Sequence, residues 1–243
     1  MSLLKKVIFW SFTITVLCTN IINSYAYDYP PVKSNSEEWK RLSPEEKHSV
    51  CQIPDNVLVT LPTEDLIQAY LDYPYIAIMA AYDNWMSGFN RVYGDFNGLR
   101  ELLNREDAGQ KVLQYYKMMD PGAYSNDWTL YKRGKFAINF TYIEILLAQE
   151  SIIQQLNPQE INEYLTEGIK KYNLKEKHIQ LHGMFGLQFT AFPIARLMRM
   201  KNSVAAQKLL NTPDMVYFLN SANVTNENIL PVVIRLVNEF NNN

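Results

Sequence analysis

The feature that most constrains this chain is a repeated way of starting helices. Ser43-Pro44-Glu45-Glu46 places a cap residue, a proline at the first helical position and an acid at the third. Asn157-Pro158-Gln159-Glu160 repeats the pattern, and Thr212-Pro213-Asp214 is a shorter version. The cap oxygen satisfies an orphan amide, and proline loses nothing there because that N–H had no partner. Thr63-Glu64-Asp65 opens another helix with acids at the positive end of its dipole. No segment shows sustained period-two alternation between turn signals, so the expected fold class is all-α.

The spacing of apolar residues predicts helices over 36–42, 44–51, 54–60, 64–72, 75–93, 97–104, 107–119, 135–156, 158–172, 184–200, 203–210, 213–220 and 227–240. Residues 121–137 leave room for a short hairpin. Residues 96–116 read as two amphipathic helices joined at Arg105-Glu106-Asp107, with Leu99, Leu102 and Leu103 facing Val112, Leu113 and Tyr116. Similar layouts recur without a fixed period. The expected architecture is therefore one domain built as an irregular stack of helical hairpins, an α-α superhelix of HEAT-like character. Within 184–200, Pro193 is expected to kink a helix that is apolar nearly all round.

The N-terminus has the pattern of a secretory signal peptide: Lys5 and Lys6, an apolar run from Val7 to Leu17, then Ser24-Tyr25-Ala26. The expected organisation is a signal peptide over 1–26, a linker over 27–35 and a helical domain over 36–243. The apolar run is too short for the roughly twenty residues that span a bilayer, so stable membrane insertion after cleavage is not expected. The implied location is secreted, periplasmic or the cell envelope. The signal segment holds two of the chain's 23 basic residues and none of its 25 acidic ones. The processed chain thus carries 21 − 25 = −4, which argues against nucleic acid and against a polybasic membrane contact. It keeps one cysteine, Cys51, so its stability must come from a packed core.

Few residues carry obvious chemistry. Cys51 with His48 three residues earlier suggests a nucleophile pair, but a lone cysteine in "SVCQI" is also a small core residue. His178 and His182 have the spacing of two metal ligands on a helix. However, Ile179 stands where the zinc-protease motif needs glutamate, and no third ligand is evident, so neither a metal nor a cofactor is expected. Glu144, among aliphatics in "YIEILLAQE", is the best general-acid candidate. The plainer readings, which take precedence, are a solvated stripe with Ala137, Thr141 and Ala148, or an ion pair with Arg91, Arg196 or Arg199. Aromatics gather in 70–93, 115–142 and 185–192, either filling space between helices or lining a groove.

Several segments together resemble a group of exported bacterial proteins with no assigned activity: "CQIPDNVL" from Cys51, "LPTEDLIQAYLDYP" from Leu61, "FNGLRELLNREDAGQKVLQYYK" from Phe96 and "FTYIEILLAQESII" from Phe140. The resemblance covers roughly residues 36–156. It implies export and a helical domain and carries over no site residue. Two functions follow as expectations. The first is a non-enzymatic exported domain binding a peptide, protein, glycan or envelope component in a groove between helical hairpins. The second is a secreted hydrolase or lyase built on Glu144, His178 and His182, which needs at least two of these to converge in one cleft.

Overall fold

A computed structural model describes residues 28–201, 207 and 211–240; the signal segment and most of the helix expected over 203–210 lie outside the described residues. The chain enters its second helix at Ser43, whose Oγ accepts from Glu46 N at 3.2 Å while Glu46 Oε2 accepts from Ser43 N at 2.8 Å. Asn157 and Glu160 make the same reciprocal pair, both bonds 3.0 Å. The caps read from sequence thus set the starts of α2 (Pro44–Val50) and α10 (Pro158–Lys177).

Before α10 the order is α1 (Glu37–Arg41), α2, α3 (Asp55–Leu58), α4 (Thr63–Leu71), a 3₁₀ segment (Ile76–Ala81), α5 (Trp85–Asp95), α6 (Asn97–Asn104), α7 (Ala108–Met118), α8 (Leu130–Leu147) and α9 (Glu150–Gln155). After it come α11 (Ile179–Met200), α12 (Pro213–Ser221) and α13 (Ile229–Phe240). The described residues hold no strand and form one compact all-helical domain. Residues 121–137, where a hairpin had room, hold turns and then the start of α8 at Leu130.

Two helices expected to be continuous are broken. The helix expected over 75–93 divides at Tyr82–Asn84. Asn84 recaps α5 by accepting from Ser87 N at 2.8 Å. The 3₁₀ segment can then fold against α5 because residue 88 is glycine: a Cβ there would lie 2.3 Å from the Met79 carbonyl oxygen. The helix expected over 135–156 starts earlier, at Leu130, and stops at Leu147. Gln149 Nε2 then donates back to the Ile145 carbonyl at 2.6 Å, and α9 leaves in a new direction to meet α6 and α7.

That turn lets α9 clamp the 96–116 hairpin. Gln155 Oε1 accepts from Gly109 N at 2.7 Å, and its Nε2 donates to the Arg105 carbonyl at 2.9 Å. Leu99, Leu102, Val112, Leu113 and Tyr116 are buried, while Leu103 is partly buried. The opposite end of the hairpin is stitched to the chain after α2. Asn97 Oδ1 accepts from Ile53 N at 3.0 Å and Nδ2 donates to the Ile53 carbonyl at 2.7 Å. Tyr29 stacks on Phe96, which stacks in turn on Tyr73 with ring centroids 4.5 Å apart.

Helix α11 runs through the second half of the domain against α8, α10 and α13. Its approach to α10 depends on Gly168, where a Cβ would come within 2.7 Å of the Ile194 methyl. The non-helical residue inside α11 is Gly183, with φ 60° and ψ −179°, rather than Pro193. Few residues other than glycine adopt that φ, so the first turn, which carries His182, is set off from the rest of α11. Many of the large aromatic side chains serve as core, including Tyr70, Tyr116, Tyr164, Phe89, Phe189 and Phe192.

Candidate functional site

Glu144 is the residue whose surroundings depart furthest from expectation. It is fully buried on α8, as are its stripe neighbours Thr141 and Ala148, so the stripe faces protein rather than water. Its partner is none of the three arginines considered. Lys175 on α10 grips it side-on, with Nζ 2.8 Å from both carboxylate oxygens. Tyr116 of α7 and Thr190 of α11 donate to Oε1 at 3.0 and 2.7 Å. The third Lys175 donor reaches the Gly186 carbonyl at 3.2 Å, and the ammonium lies 4.9 Å from the Phe140 ring centroid. Burial pushes the Lys175 pKa down, and Glu144 pulls it back up. Burial raises the Tyr116 hydroxyl well above its usual value, and the Glu144 charge adds to this. All four helices around this pair contribute one member, and every donor of the lysine is used.

The α10 face explains how a lysine comes to be there. Ile161, Tyr164, Leu165, Gly168, Lys171, Tyr172 and Lys175 are its buried residues, a continuous stripe at helical spacing. Lys171 takes the neighbouring place. Its Nζ donates to Glu167 at 2.7 Å and to the Met119 carbonyl at 2.5 Å, and it lies 4.8 Å from the Tyr116 ring centroid. Reading α10 as ending at 172 left Lys175 outside the helix and hid this stripe.

The two histidines do not share one regular helix face, because His178 is the junction between α10 and α11 at φ −111° and ψ 37°. His182 is buried, its Nε2 is 3.0 Å from the Pro121 carbonyl, and Phe136 and Phe140 pack on the ring. Its Nδ1 is buried with no partner, and burial lowers its pKa to about 4. His178 meets Tyr124 edge-on at 5.4 Å. No cluster of three or more His, Cys, Asp or Glu side chains with metal-binding geometry occurs among the described residues. Cys51 is fully buried, and burial pushes its thiol up to about 11, which keeps it from the thiolate form that a nucleophile needs. His48 is exposed.

The surface carries a groove that the sequence did not single out. It runs between α4 and α7, has a volume of about 620 Å³, and is lined by Glu64, Asp65, Gln68, Lys111, Tyr115 and Met118 among others. Lys111 bridges it at one point, pairing with Glu64 at 2.5 Å. That bond lowers the Glu64 pKa and raises the Lys111 pKa. Met118 is 76% exposed at the end of α7. A second, polar groove adjoins through Gln114 and Lys117 and is walled by Asn157, Gln159 and Glu163. The furrow therefore crosses the outer face of α7, the helix whose inner face supplies Tyr116 to Glu144.

No protein-family profile, curated protein or solved structure matches this chain.

Proposed function

We propose that the protein is an exported, non-enzymatic helical domain that binds a peptide segment of a partner in the furrow over α7, its helical hairpins stacking irregularly in the manner of an α-α superhelix. One observation carries the reading: a groove of about 620 Å³ in which Tyr115 and the exposed Met118 lie between the acids of α4 and the lysines of α7. Binding sites for peptides commonly pair an adaptable apolar floor with a few polar groups that fix orientation, and methionine suits such a floor. The N-terminal pattern and the resemblance to exported bacterial proteins support a location outside the cytoplasm.

The hydrolase or lyase alternative rests on Glu144, His178 and His182. None of the three lines either groove. Glu144 is enclosed by Lys175, Tyr116 and Thr190, an arrangement suited to holding four helices together. The test is selection from a random peptide library on the immobilised chain, followed by binding of the selected peptides to Met118→Asp and Lys117→Glu. Both positions are exposed, so the fold should be retained. Loss of binding in either variant is the expected result. Equal binding to the parent and both variants would sink the groove reading, as would failure to select any peptide.

A further inference from the structure

Helix α8 is buried from Phe140 to Leu147, but its first turns project from the domain. Leu130 is 79% exposed and Tyr131 is 80% exposed, two adjacent large side chains at the outer end of a helix. A methyl placed on Gly134, one turn along, would meet no atom within 4 Å. The tip is nonetheless anchored. Thr129 Oγ1 caps the helix by accepting from Lys132 N at 3.2 Å, and Phe136 packs edge-on against both Trp128 and Phe140. Around the apolar pair lie Lys132, Arg133 and Lys135, with Asp127 the one acid between 127 and 136. Lys132 Nζ sits 4.0 Å from the Trp128 ring centroid, and Lys135 is 3.7 Å from Asp72.

We infer that this tip, comprising Trp128, Leu130, Tyr131, Lys132, Arg133 and Lys135, docks the protein peripherally on an anionic phospholipid surface. The chemistry fits at three depths. Leucine enters the boundary of the acyl region, tyrosine and tryptophan sit at headgroup level, and the exposed lysine heads reach the phosphates. The three cations against Asp127 and Asp72, the partner of Lys135, leave a local net charge of +1, opposite in sign to the chain as a whole. A second copy of the chain is a poor occupant. Two positive tips repel each other, and two apolar side chains fall far short of the roughly 800 Å² per partner that a stable interface buries. No helix among the described residues is long and apolar enough to cross a membrane, so the docking is superficial and reversible. The inference does not rest on the α7 groove.

The test is co-sedimentation of the full chain with phosphatidylcholine vesicles, with and without phosphatidylglycerol. Any contribution from the apolar N-terminal segment is then common to every variant. The parent should pellet with the anionic vesicles and be released by high salt. Leu130→Ser/Tyr131→Ser should lose most of this binding. Lys132→Gln/Lys135→Gln should weaken it by about 25-fold, at about fivefold per cation near an anionic surface. Met118→Asp, in the groove, should bind vesicles like the parent. The altered side chains are exposed, so thermal melts of the tip variants should match the parent. Failure of the parent to pellet with anionic vesicles would overturn the inference, whatever protein partner it captures. So would retention of parental binding by Leu130→Ser/Tyr131→Ser.

Discussion

Replacing Lys175 with methionine removes the counter-charge from a carboxylate with no access to water. Glu144 would keep only Tyr116 at 3.0 Å and Thr190 at 2.7 Å, two neutral donors on one oxygen. Breaking one side of a buried pair typically costs about 3–5 kcal/mol, because the surviving charge stays desolvated. The reciprocal change, Glu144→Leu, strands the ammonium over Phe140 with only the Gly186 carbonyl and should cost a similar amount. The double variant Glu144→Leu/Lys175→Met behaves differently. Thr190 can still donate to the Gly186 carbonyl at 3.1 Å, so the Tyr116 hydroxyl is the main group left unpaired. One unsatisfied buried hydroxyl costs about 1–3 kcal/mol. The double variant should therefore be more stable than either single one, with a coupling energy of at least about 3 kcal/mol. Urea melts at neutral pH measure all four proteins. If Lys175→Met costs less than about 1 kcal/mol, or if the double variant loses the sum of the two singles, the pair does not act as a mutually compensating unit.

His182 gives a pH signature. Its pKa falls from 6.5 in the unfolded chain to about 4 in the fold, first through burial and also through the nearby Lys175 and His178 charges. Because the unfolded chain takes up the proton first, its contribution is full above about 6.5 and is lost as pH falls towards 4. The loss should reach about 3 kcal/mol, and His182→Gln should flatten it in melts across that window. Gly109→Ala should cost about 1–3 kcal/mol, because its Cβ would meet the Ile152 carbonyl and Gln155 Cβ at 2.9 Å; Glu101→Ala, which takes the carboxylate from a buried Arg105 Nε 2.6 Å away, should cost about 1–3 kcal/mol in the same melts. Cys51→Ser should cost about 1–3 kcal/mol, and a thiol reagent should label the native chain only as fast as it opens.

What was legible in the sequence was whatever is decided locally. The capping boxes at Ser43 and Asn157 need only residues three apart, and both form as read. The 96–116 hairpin was legible because its apolar faces repeat within each helix. The failures lie where a distant partner decides. The break before Asn84 depends on Gly88 admitting the Met79 backbone, and the break after Leu147 places Gln155 on Gly109, forty-six residues away. Glu144 was correctly singled out as an oddity among aliphatics, but its partner could not be found by looking for arginines. A lysine on an apolar stripe was the available signal, and it needed α10 to be carried one turn further. The α4–α7 groove joins segments that are each unremarkable alone.

Two polar residues inside the second half of the domain, Lys171 and His182, serve one connection. The connection from α7 to α8 crosses the ends of α10 and α11, and its carbonyls turn inward. Lys171 donates to the Met119 carbonyl and His182 lies against the Pro121 carbonyl, while on the outside Gln180 donates to the Tyr124 hydroxyl at 3.1 Å. A buried carbonyl without a donor is costly, so a connection that lies against the core needs donors from the helices beneath it. Lysine and histidine supply them, and their charge must then be balanced or suppressed. Glu167 balances Lys171, Glu144 balances Lys175, and His182 is kept neutral by burial. Glu144 and Lys175 thus satisfy each other's charge, while His182 Nδ1 stays buried without a partner. The groups that the two proposals assign to partners are on the outside: Tyr115 and Met118 over α7, and Leu130 and Tyr131 at the tip of α8.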